Sequence, residues 1–318
     1  MTILLWLIAL AAGVGAIVWG AEVFAEHLGK AAVVLGVGSF ALALLLAGAE
    51  PEELVTAVTA SLRGSPGIAL GDVIGANVTV CLVALGVGAL VAPLPFAGSA
   101  LRYAMLGLPL GVIGAWFAWD GNVSRPEGFV LMLLYVAYVS LIWIVERHPP
   151  SLGEVGELRE AQNERENATK RVGRDLMLVL FGVLAMTCGA SLLVDAVRRI
   201  SHLQSTQTKL GFTIVGFATG FELVVLAWSA ARREAPEAVV AGVVGSFAYN
   251  VTMTLGAAAF VHPLVLQNVR QLHLPLIAML AALALGIGLA APRKVLTRRS
   301  ATALLLAYVL FVLLVLRH

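Results

Sequence analysis

Charged residues are scarce in this sequence. Only 13% of the 318 residues are Asp, Glu, Lys or Arg, whereas 60% are hydrophobic. Soluble globular domains have about 25% charged residues, and a soluble protein of this size needs them to cover its surface. Here they are gathered in short stretches between long apolar runs that water does not solvate. The composition therefore excludes an ordinary soluble globule and predicts an integral membrane protein whose solvent is the lipid bilayer.

Cysteine is also rare. Its two positions, Cys81 and Cys188, both lie within apolar runs, so the sequence excludes a disulfide framework and a paired-cysteine zinc site. A formal net charge of +2 without a basic arm gives no indication of nucleic-acid binding. The six histidines are scattered, and the sequence contains no nucleophile elbow, paired-histidine zinc motif or glycine-rich nucleotide loop. We therefore expect a protein that is not an enzyme and has no cofactor.

Ten apolar segments are long enough to cross a bilayer. A helix rises about 1.5 Å per residue, so about 20 apolar residues cross a hydrocarbon layer of ~30 Å. The segments are continuously apolar rather than alternating, which favours helices over a β-barrel. The first one lacks the basic start of a secretory signal and is predicted to be retained. The predicted spans are residues 2–25, 35–62, 67–91, 98–118, 127–147, 175–198, 210–232, 236–260, 272–291 and 299–316.

The distribution of basic residues predicts an orientation. If the N-terminus is outside, 14 of the 21 Lys and Arg residues lie at inner helix ends and in inner loops. The positive-inside rule favours this arrangement. Both termini are then outside, and the charged connector 148–174 is cytoplasmic. The cell membrane is the expected location.

The chain contains an internal repeat. The segment GDVIGANV (71–78) aligns with AGVVGSFA (241–248), and the same shift along the chain aligns Glu52 with Glu222. Five predicted spans separate equivalent points, so the second copy should be inverted in the membrane. Inverted repeats are typical of secondary transporters, with the substrate site near the midplane. This predicts an all-α membrane protein with ten transmembrane helices, formed by repeats 1–147 and 175–318 and the connecting loop 148–174.

Several acidic residues lie where lipid should exclude them. The second span reads LLLAGAEPEELVTAV, with Glu50, Glu52 and Glu53 around Pro51. Proline breaks a regular helix and frees backbone carbonyls, and an ionised carboxylate at the bilayer centre costs at least ~2.5 kcal/mol. The second, third and eighth spans have no Lys or Arg away from their ends. These carboxylates therefore predict a bound cation, although Glu50 alone could lie at a water-facing helix end.

Polar residues in other spans extend this candidate site. The seventh span reads TIVGFATGFELVV, and the third and eighth spans are glycine-rich helices that contain asparagine. Hard oxygen ligands favour Na⁺, Ca²⁺, Mg²⁺ or H⁺ over zinc or copper. Competition between a metal ion and Na⁺ or H⁺ for one set of oxygens is a sufficient basis for exchange. The candidate cation ligands are Glu50, Glu52, Glu53, Asn77, Thr219, Glu222, Ser246 and Asn250.

These segments resemble the cation/calcium antiporters, which include sodium/calcium and proton/calcium exchangers. Members of that superfamily carry two inverted repeats of the form G-T-S-L-P-E-L followed by G-N-V-I-G-S-N-x-x-N. The first repeat here reads GAEPEELVTAVTASLRGSPGIALGDVIGANV. The second half has similar segments in the same order, GASLLVDAVRRI (189–200), TIVGFATGFELV (213–224) and VVGSFAYN (243–250). The resemblance covers most of the chain and implies the exchanger fold.

The ligand positions implied by the resemblance are asymmetric. The metal-binding glutamate of the family falls on Glu53, with Glu52 in place of its proline. In the second repeat the same position is Leu223, and only a one-residue deletion places Glu222 there. The hydroxyl positions become Ala49 and Glu50 in the first repeat and Thr219 and Gly220 in the second.

The asparagine positions of the family motif also differ between the repeats. Phe247 stands opposite Asn77, and Asn250 stands opposite Val80. The sequence thus predicts a site rich in carboxylates from the first repeat and poor in them from the second.

The resemblance implies secondary active antiport by alternating access. The expected activity is exchange of a divalent cation, with Ca²⁺ as the leading candidate, for Na⁺ or H⁺. The additional carboxylates Glu50 and Glu52 favour coupling to H⁺. Two alternatives stay open: an exchanger-like transporter of another ion (Mg²⁺, or Na⁺/H⁺ only), and a cation-binding membrane protein that does not transport. The sequence does not predict an oligomeric state.

Overall fold

The computed structural model describes residues 3–34, 50–96, 98–146, 172–232 and 236–317. The first half of the chain contains α1 (Ile3–Val34), α2 (Pro51–Leu62), α3 (Pro66–Thr79), α4 (Leu85–Val91), α5 (Ser99–Ala118) and α6 (Arg125–Glu146). The second half contains α7 (Val172–Ile200), α8 (Gln204–Leu210), α9 (Gly216–Thr219), α10 (Phe221–Arg232), α11 (Pro236–Tyr249), α12 (Leu255–Val261), α13 (Arg270–Ala290) and α14 (Arg298–Arg317).

Three of these helices continue into the next through one turn of π-helix. The π-helical segments Val80–Ala84, Gly211–Val215 and Asn250–Thr254 join α3 to α4, α8 to α9 and α11 to α12, respectively. A π-helical turn shifts the direction of all later side chains relative to a regular helix, and such turns are frequent at functional sites. These turns were not predicted from the sequence.

The described part of the chain contains nine helices or continuous helical runs that are long and apolar enough to cross a membrane. They coincide with nine of the ten predicted spans, with bounds that differ by a few residues. The remaining predicted span, 35–62, is described only from Glu50 onward. In the predicted connector 148–174, residues 148–171 lie outside the described ranges. The chain is therefore an all-helical integral membrane protein.

Two helical runs form the centre of the molecule. Their spans Pro66–Val91 and Val239–Val261 are 89% and 94% buried within the protein. The surrounding helices instead expose large apolar side chains to the bilayer, among them Trp116, Ile144 and Met177. The surrounding helices thus shield both central runs from lipid, which places any ion-binding residues of α3 and α11 deep in the protein.

Helices α1 and α7 pack closely along a glycine stripe. A Cβ atom on Gly13 would lie 2.8 Å from the carbonyl oxygen of Gly189, and one on Gly20 would lie 2.8 Å from that of Gly182. Small residues allow such close backbone approach between membrane helices. Gly13 and Gly20 of the first span are therefore used for helix packing.

Two short antiparallel strand pairs connect the halves of the chain. Strand β1 (Leu94–Pro95) pairs with β4 (Val295–Leu296), and β2 (Asn122–Val123) pairs with β3 (Leu264–Val265). Each pair joins a strand of the first half to a strand of the second half. The all-α fold class predicted from the sequence did not include these strands.

The bounds of several elements repeat along the chain at the shift that aligns Gly71 with Ala241 in the sequence. Helices α2, α3 and α4, the π-helical turn after α3, and strand β1 each have a counterpart of equal length at this shift. These counterparts are α10, α11, α12, the π-helical turn after α11, and β3. The internal repeat detected from residue types is therefore also present in the backbone.

Candidate cation site

The start of helix α2 positions the acidic residues of the first half. Helix α2 begins at Pro51, and Glu50 before it has the non-helical angles φ −109° and ψ 85°. Proline fits the first position of a helix because the amide it lacks would have no helical acceptor there. Glu52 and Glu53 then lie in the first turn, where the positive end of the helix dipole favours negative charge. A helix start at Pro51 agrees with the break predicted there, and the residues before Glu50, down to residue 35, lie outside the described ranges.

The second half has a corresponding break. Helix α9 ends at Thr219, and α10 begins at Phe221 after Gly220. Glu222 lies in the first turn of α10, as Glu52 does in α2. Two helix N-termini therefore each carry acidic residues in the first turn.

The first-half carboxyls are removed from solvent. Glu52 and Glu53 are 1% and 0% exposed, and Glu50 is buried as well. Among the described atoms, Glu52 Oε1 and both carboxyl oxygens of Glu53 have no hydrogen-bond partner. Burying an unpaired carboxylate is costly, so these oxygens require a proton or a cation.

Asp72 joins this group from helix α3. It is fully buried, and its Oδ1 accepts a hydrogen bond of 2.8 Å from Thr219 Oγ1. Its Oδ2 has no hydrogen-bond partner in the described structure. From the sequence, Asp72 was placed in a glycine-rich helix but was not included among the candidate ligands. An acidic residue inside an otherwise apolar span was the signal that could have identified it.

Thr56 is a second buried polar residue that was not among the cation ligands predicted from the sequence. It follows Glu52 by four residues and Glu53 by three, so it lies on the same face of α2. It is fully buried, and its hydroxyl oxygen has no hydrogen-bond partner among the described residues. The helical spacing from the two glutamates was the signal available in the sequence.

The carboxyls lie within electrostatic range of one another. Glu53 interacts with Glu52, Asp72 and Glu222, and its carboxyl lies beside the amide of Asn250. Glu50 contacts the carboxyl of Glu52. In the described part of the chain, however, no three Asp, Glu, His or Cys side chains converge closely enough to ligate one ion together. The arrangement therefore offers pairs of carboxyls with neutral oxygens nearby, rather than a closed carboxylate cage.

The neutral candidates form a connected hydrogen-bond network. Asn250 Nδ2 donates to Asn77 Oδ1 at 3.3 Å and to Ser246 Oγ at 3.4 Å. Asn250 Oδ1 accepts from Thr254 Oγ1 at 3.1 Å, and Asn77 Nδ2 contacts Met279 Sδ at 3.6 Å. The structure thus brings Asn77, Ser246 and Asn250 together, with their polar atoms largely engaged with one another.

Within the described ranges, basic residues do not neutralise the buried carboxyls. The ion pairs there are Lys30 with Glu26, His27 with Asp175, and Arg63 with Asp195, all near helix ends. Among the same residues, none forms an ion pair with Glu50, Glu52, Glu53 or Asp72. The positive charge that these groups require must come from a proton or a bound cation.

The repeated helix bounds fix the register between the halves. Helices α2 and α10 correspond without a gap, so Glu222 is the counterpart of Glu52, and the buried Leu223 is the counterpart of Glu53. By the same correspondence, Phe247 is equivalent to Asn77, and Asn250 is equivalent to Val80. A one-residue deletion is therefore not needed to align the halves, and the asymmetry seen in the sequence is present in the structure.

The sequence matches a known family along most of its length. The family model described as sodium/calcium exchanger protein matches residues 4–144 and 175–317. An uncharacterized membrane protein of Methanocaldococcus jannaschii is 27% identical over 278 residues, which covers 87% of this chain and 86% of that protein. The sodium/calcium exchanger MaX1 of Methanosarcina acetivorans is 33% identical over 135 residues, which covers 41% of this chain and 38% of the exchanger.

A solved structure has a similar fold. The sodium-calcium exchanger NCX_Mj, soaked with 10 mM Na⁺ and no Ca²⁺, superposes with a TM-score of 0.61 at 23% sequence identity. The match covers 97% of this chain and 98% of that exchanger. The helical arrangement is therefore shared over nearly the whole length of both chains.

Proposed function

Because this chain belongs to the sodium/calcium exchanger family, we propose that it is a secondary active antiporter that exchanges a divalent cation for Na⁺ or H⁺. Ca²⁺ is the divalent cation expected from the family resemblance and from the hard oxygen donors. The resemblance inferred from the sequence is confirmed by the family match. The identity of the transported ion is our proposal.

One observation carries this proposal. Glu52, Glu53 and Asp72 are buried, and each has at least one carboxyl oxygen without a hydrogen-bond partner among the described residues. The described structure provides no basic side chain to pair with them. Burying an ionisable side chain within a membrane costs free energy, and such residues commonly line ion pathways. A mobile cation that is bound and released at this position accounts for their burial.

We propose that the candidate ligands act as one exchange region. In this proposal Glu53 or Glu52, together with Glu222, supplies the charge. Asn77 and Thr219 add neutral oxygens, with Glu50, Ser246 and Asn250 around them. Pro51 and Gly220 break the helices that carry the acidic residues.

The proposed architecture is ten transmembrane helices in two inverted five-helix repeats. The element bounds that repeat along the chain and the strand pairs between the halves support it. In transporters built this way, one group of helices rocks against another around a site near the midplane. Alternating access of the carboxyl region to the two sides follows from such a movement.

We also propose an orientation and a location. The excess of Lys and Arg in the predicted inner segments supports a cytoplasmic connector at 148–174 and external termini. The cell membrane is the proposed location. Cysteine accessibility to a membrane-impermeant reagent, with single cysteines placed in the connector and at the C-terminus of a cysteine-free variant, tests this orientation.

Reconstituted vesicles provide the main test. Gradients of Ca²⁺, Mg²⁺, Na⁺ and H⁺ are imposed one at a time, and uptake is measured for the wild-type protein and for Glu53→Gln and Glu222→Gln. We expect Ca²⁺ uptake that depends on an opposing Na⁺ or H⁺ gradient, is abolished in Glu53→Gln and is lowered in Glu222→Gln. Uptake of Mg²⁺ alone, or Na⁺/H⁺ exchange alone, supports the alternative of an exchanger-like protein with another ion. Wild-type vesicles without any cation flux, despite cation binding, support a non-transporting binding protein.

The coupling ion can be tested in the same vesicles. Glu50 and Glu52 add carboxyls to the first-half site, which favours exchange against H⁺. We expect Ca²⁺ uptake to continue without Na⁺ and to stop when a protonophore removes the pH gradient. Uptake that ignores the protonophore but requires Na⁺ contradicts H⁺ coupling.

A further inference from the structure

Asp72 has an environment that a structural hydrogen bond alone does not explain. Its side chain is fully buried between α3 and the helices that cross it, yet only one of its two oxygens has a hydrogen-bond partner among the described residues. A buried carboxyl that serves only packing or capping is expected to have its oxygens satisfied. Because Oδ2 has no partner among the described protein atoms, it is available to bind a ligand that is not part of the protein.

The side chain next to it has the same property. Glu53 is fully buried, lies within electrostatic range of Asp72, and has two oxygens without hydrogen-bond partners in the described structure. The buried hydroxyl of Thr56, one turn along α2 from Glu53, is also without a partner there. Carboxylate oxygens and a hydroxyl oxygen from two adjacent helices are the donor set that a hard cation prefers.

The position of Asp72 is fixed from the opposite half of the chain. Thr219 Oγ1, at the end of α9, donates to Asp72 Oδ1 across a sequence separation of 147 residues. With Oδ1 held in this way, the orientation of the carboxyl plane and the position of Oδ2 are restricted. The second half thus supplies a positioning hydroxyl near a pair of carboxyls that both come from the first half.

The second half supplies little charge at the equivalent positions. In the second repeat, Leu223 occupies the position equivalent to Glu53, and Gly242 occupies the position equivalent to Asp72. A pair of carboxyls formed by one residue from each repeat is therefore not available at these positions. The two negative charges that match a divalent cation lie on α2 and α3 instead.

We propose, resting on the proposed antiport function, that Asp72 is a direct ligand of the transported divalent cation. In this assignment Asp72 Oδ2 and the Glu53 carboxylate bind the ion, and Thr56 contributes its hydroxyl oxygen. In this assignment Thr219 acts through Asp72 as a positioning residue, and this role replaces the direct ligand role proposed for it above. Asp72 therefore contributes more to divalent cation binding than Glu222 does.

The test compares binding and flux in purified full-length protein. Binding of ⁴⁵Ca²⁺ in detergent and Ca²⁺ uptake in vesicles are measured for wild type, Asp72→Asn, Glu222→Gln and Asp120→Asn. Asp120 is an exposed residue at a turn and serves as the matched control for the loss of an aspartate. We expect Asp72→Asn to weaken Ca²⁺ binding by more than about tenfold, equivalent to about 1.4 kcal/mol, and by a larger factor than Glu222→Gln. Asp120→Asn should bind as the wild type does.

Variants of Thr219 separate ligation from general damage to the fold. Thr219→Ser retains the hydroxyl and should keep Ca²⁺ binding close to the wild-type value. Thr219→Val retains the shape but removes the donor, and it should weaken Ca²⁺ binding in wild type but have little further effect in Asp72→Asn. Equal weakening by Thr219→Val in both backgrounds contradicts a role through Asp72. Size-exclusion profiles of all variants show which of them fold.

The outcomes distinguish this assignment from the function itself. Wild-type Ca²⁺ binding and exchange that are unchanged in Asp72→Asn overturn the role of Asp72 and leave antiport intact. A wild-type protein that binds and transports no divalent cation overturns both proposals. If Asp72→Asn does not fold, Asp72→Ser, which also removes the carboxylate, replaces it in the binding comparison and as the background for Thr219→Val.

Discussion

The two halves of this protein share a backbone plan but differ in the polar groups it carries. Helices α2 and α3 correspond to α10 and α11 in length and spacing. The first pair holds the buried carboxyls of Glu52, Glu53 and Asp72, whereas the second pair, with the π-helical turn after α11, contributes a half-buried Glu222 and the hydrogen-bonded Ser246 and Asn250. A repeated fold therefore does not require a repeated site, and the predictions below test how far the halves have diverged.

The largest effect is expected at Glu53. Glu53→Gln removes a fully buried carboxylate, so Ca²⁺ uptake in vesicles should fall below detection. Glu222→Gln should leave a measurable fraction of that uptake, because Glu222 is only half-buried and corresponds to Glu52 rather than to Glu53. Initial uptake rates at matched protein density provide the measurement. A greater loss in Glu222→Gln than in Glu53→Gln contradicts the asymmetry between the halves.

A second prediction concerns the contact between the halves beside the site. A Cβ atom on Gly216 would lie 2.5 Å from the backbone nitrogen of Ala76, and backbone atoms cannot move aside cheaply. Gly216→Val should therefore reduce the yield of monodisperse protein in size-exclusion chromatography severely. Gly15→Val is the matched control, because a Cβ atom there meets no described atom within 4 Å. Normal yield of Gly216→Val indicates that the halves are less tightly apposed at this point.

A third prediction tests the packing role of Phe247, which occupies the position in the second half that is equivalent to Asn77. Phe247 stands opposite Asn77, is fully buried, and packs against Gly111 of α5. Phe247→Ala should lower the free energy of unfolding by about 3–5 kcal/mol, the range for a buried Phe. Phe260→Ala is the control, because Phe260 is 48% exposed and faces outward. Thermal unfolding in the same detergent compares the two, and similar losses in both variants count against a packing role specific to Phe247.

The smallest effect is expected at Ser61, which has Ala231 as its counterpart. Ser61 Oγ donates toward the carbonyl oxygens of Ala258 at 2.7 Å and His262 at 2.9 Å, in the second half of the chain. Ser61→Ala should destabilise the protein by about 1 kcal/mol, the usual net value of a hydrogen bond. Chemical unfolding of Ser61→Ala beside Ala231→Ser provides the measurement. If the free energy of unfolding of Ser61→Ala equals that of the wild type, this contact between the halves is not stabilising.

The sequence was sufficient for much of the fold because its signals are local. Long apolar runs predicted the nine helices of the described ranges that are long and apolar enough to cross a membrane, and Pro51 agrees with the helix start before Glu52. The internal repeat was visible from residue types alone. The strand pairs were not predicted, because they join segments far apart in the chain. The π-helical turns were not predicted either, because the sequence was read only for apolar runs and helix breaks.

The candidate site was only partly accessible for the same reason. The glutamates around Pro51 were evident because lipid excludes charge. Asp72 in the adjacent span has the same sequence signal but was not selected, and its hydrogen bond with Thr219, 147 residues away, is visible only in the structure. The placement of Asn77, Ser246 and Asn250 in one network also depends on how α3 meets the π-helical turn after α11, which single-sequence patterns do not specify.

The strand pairs between the halves affect how this protein can be made by the cell. When only the first half of the chain has left the ribosome, β1 and β2 have no partners, because β4 and β3 are synthesised later. Asp72 on α3 also lacks the hydroxyl of Thr219 at that stage, because α9 is synthesised later. We therefore expect premature chain termination after the first half to yield an exposed, protease-sensitive product rather than a stable half-transporter.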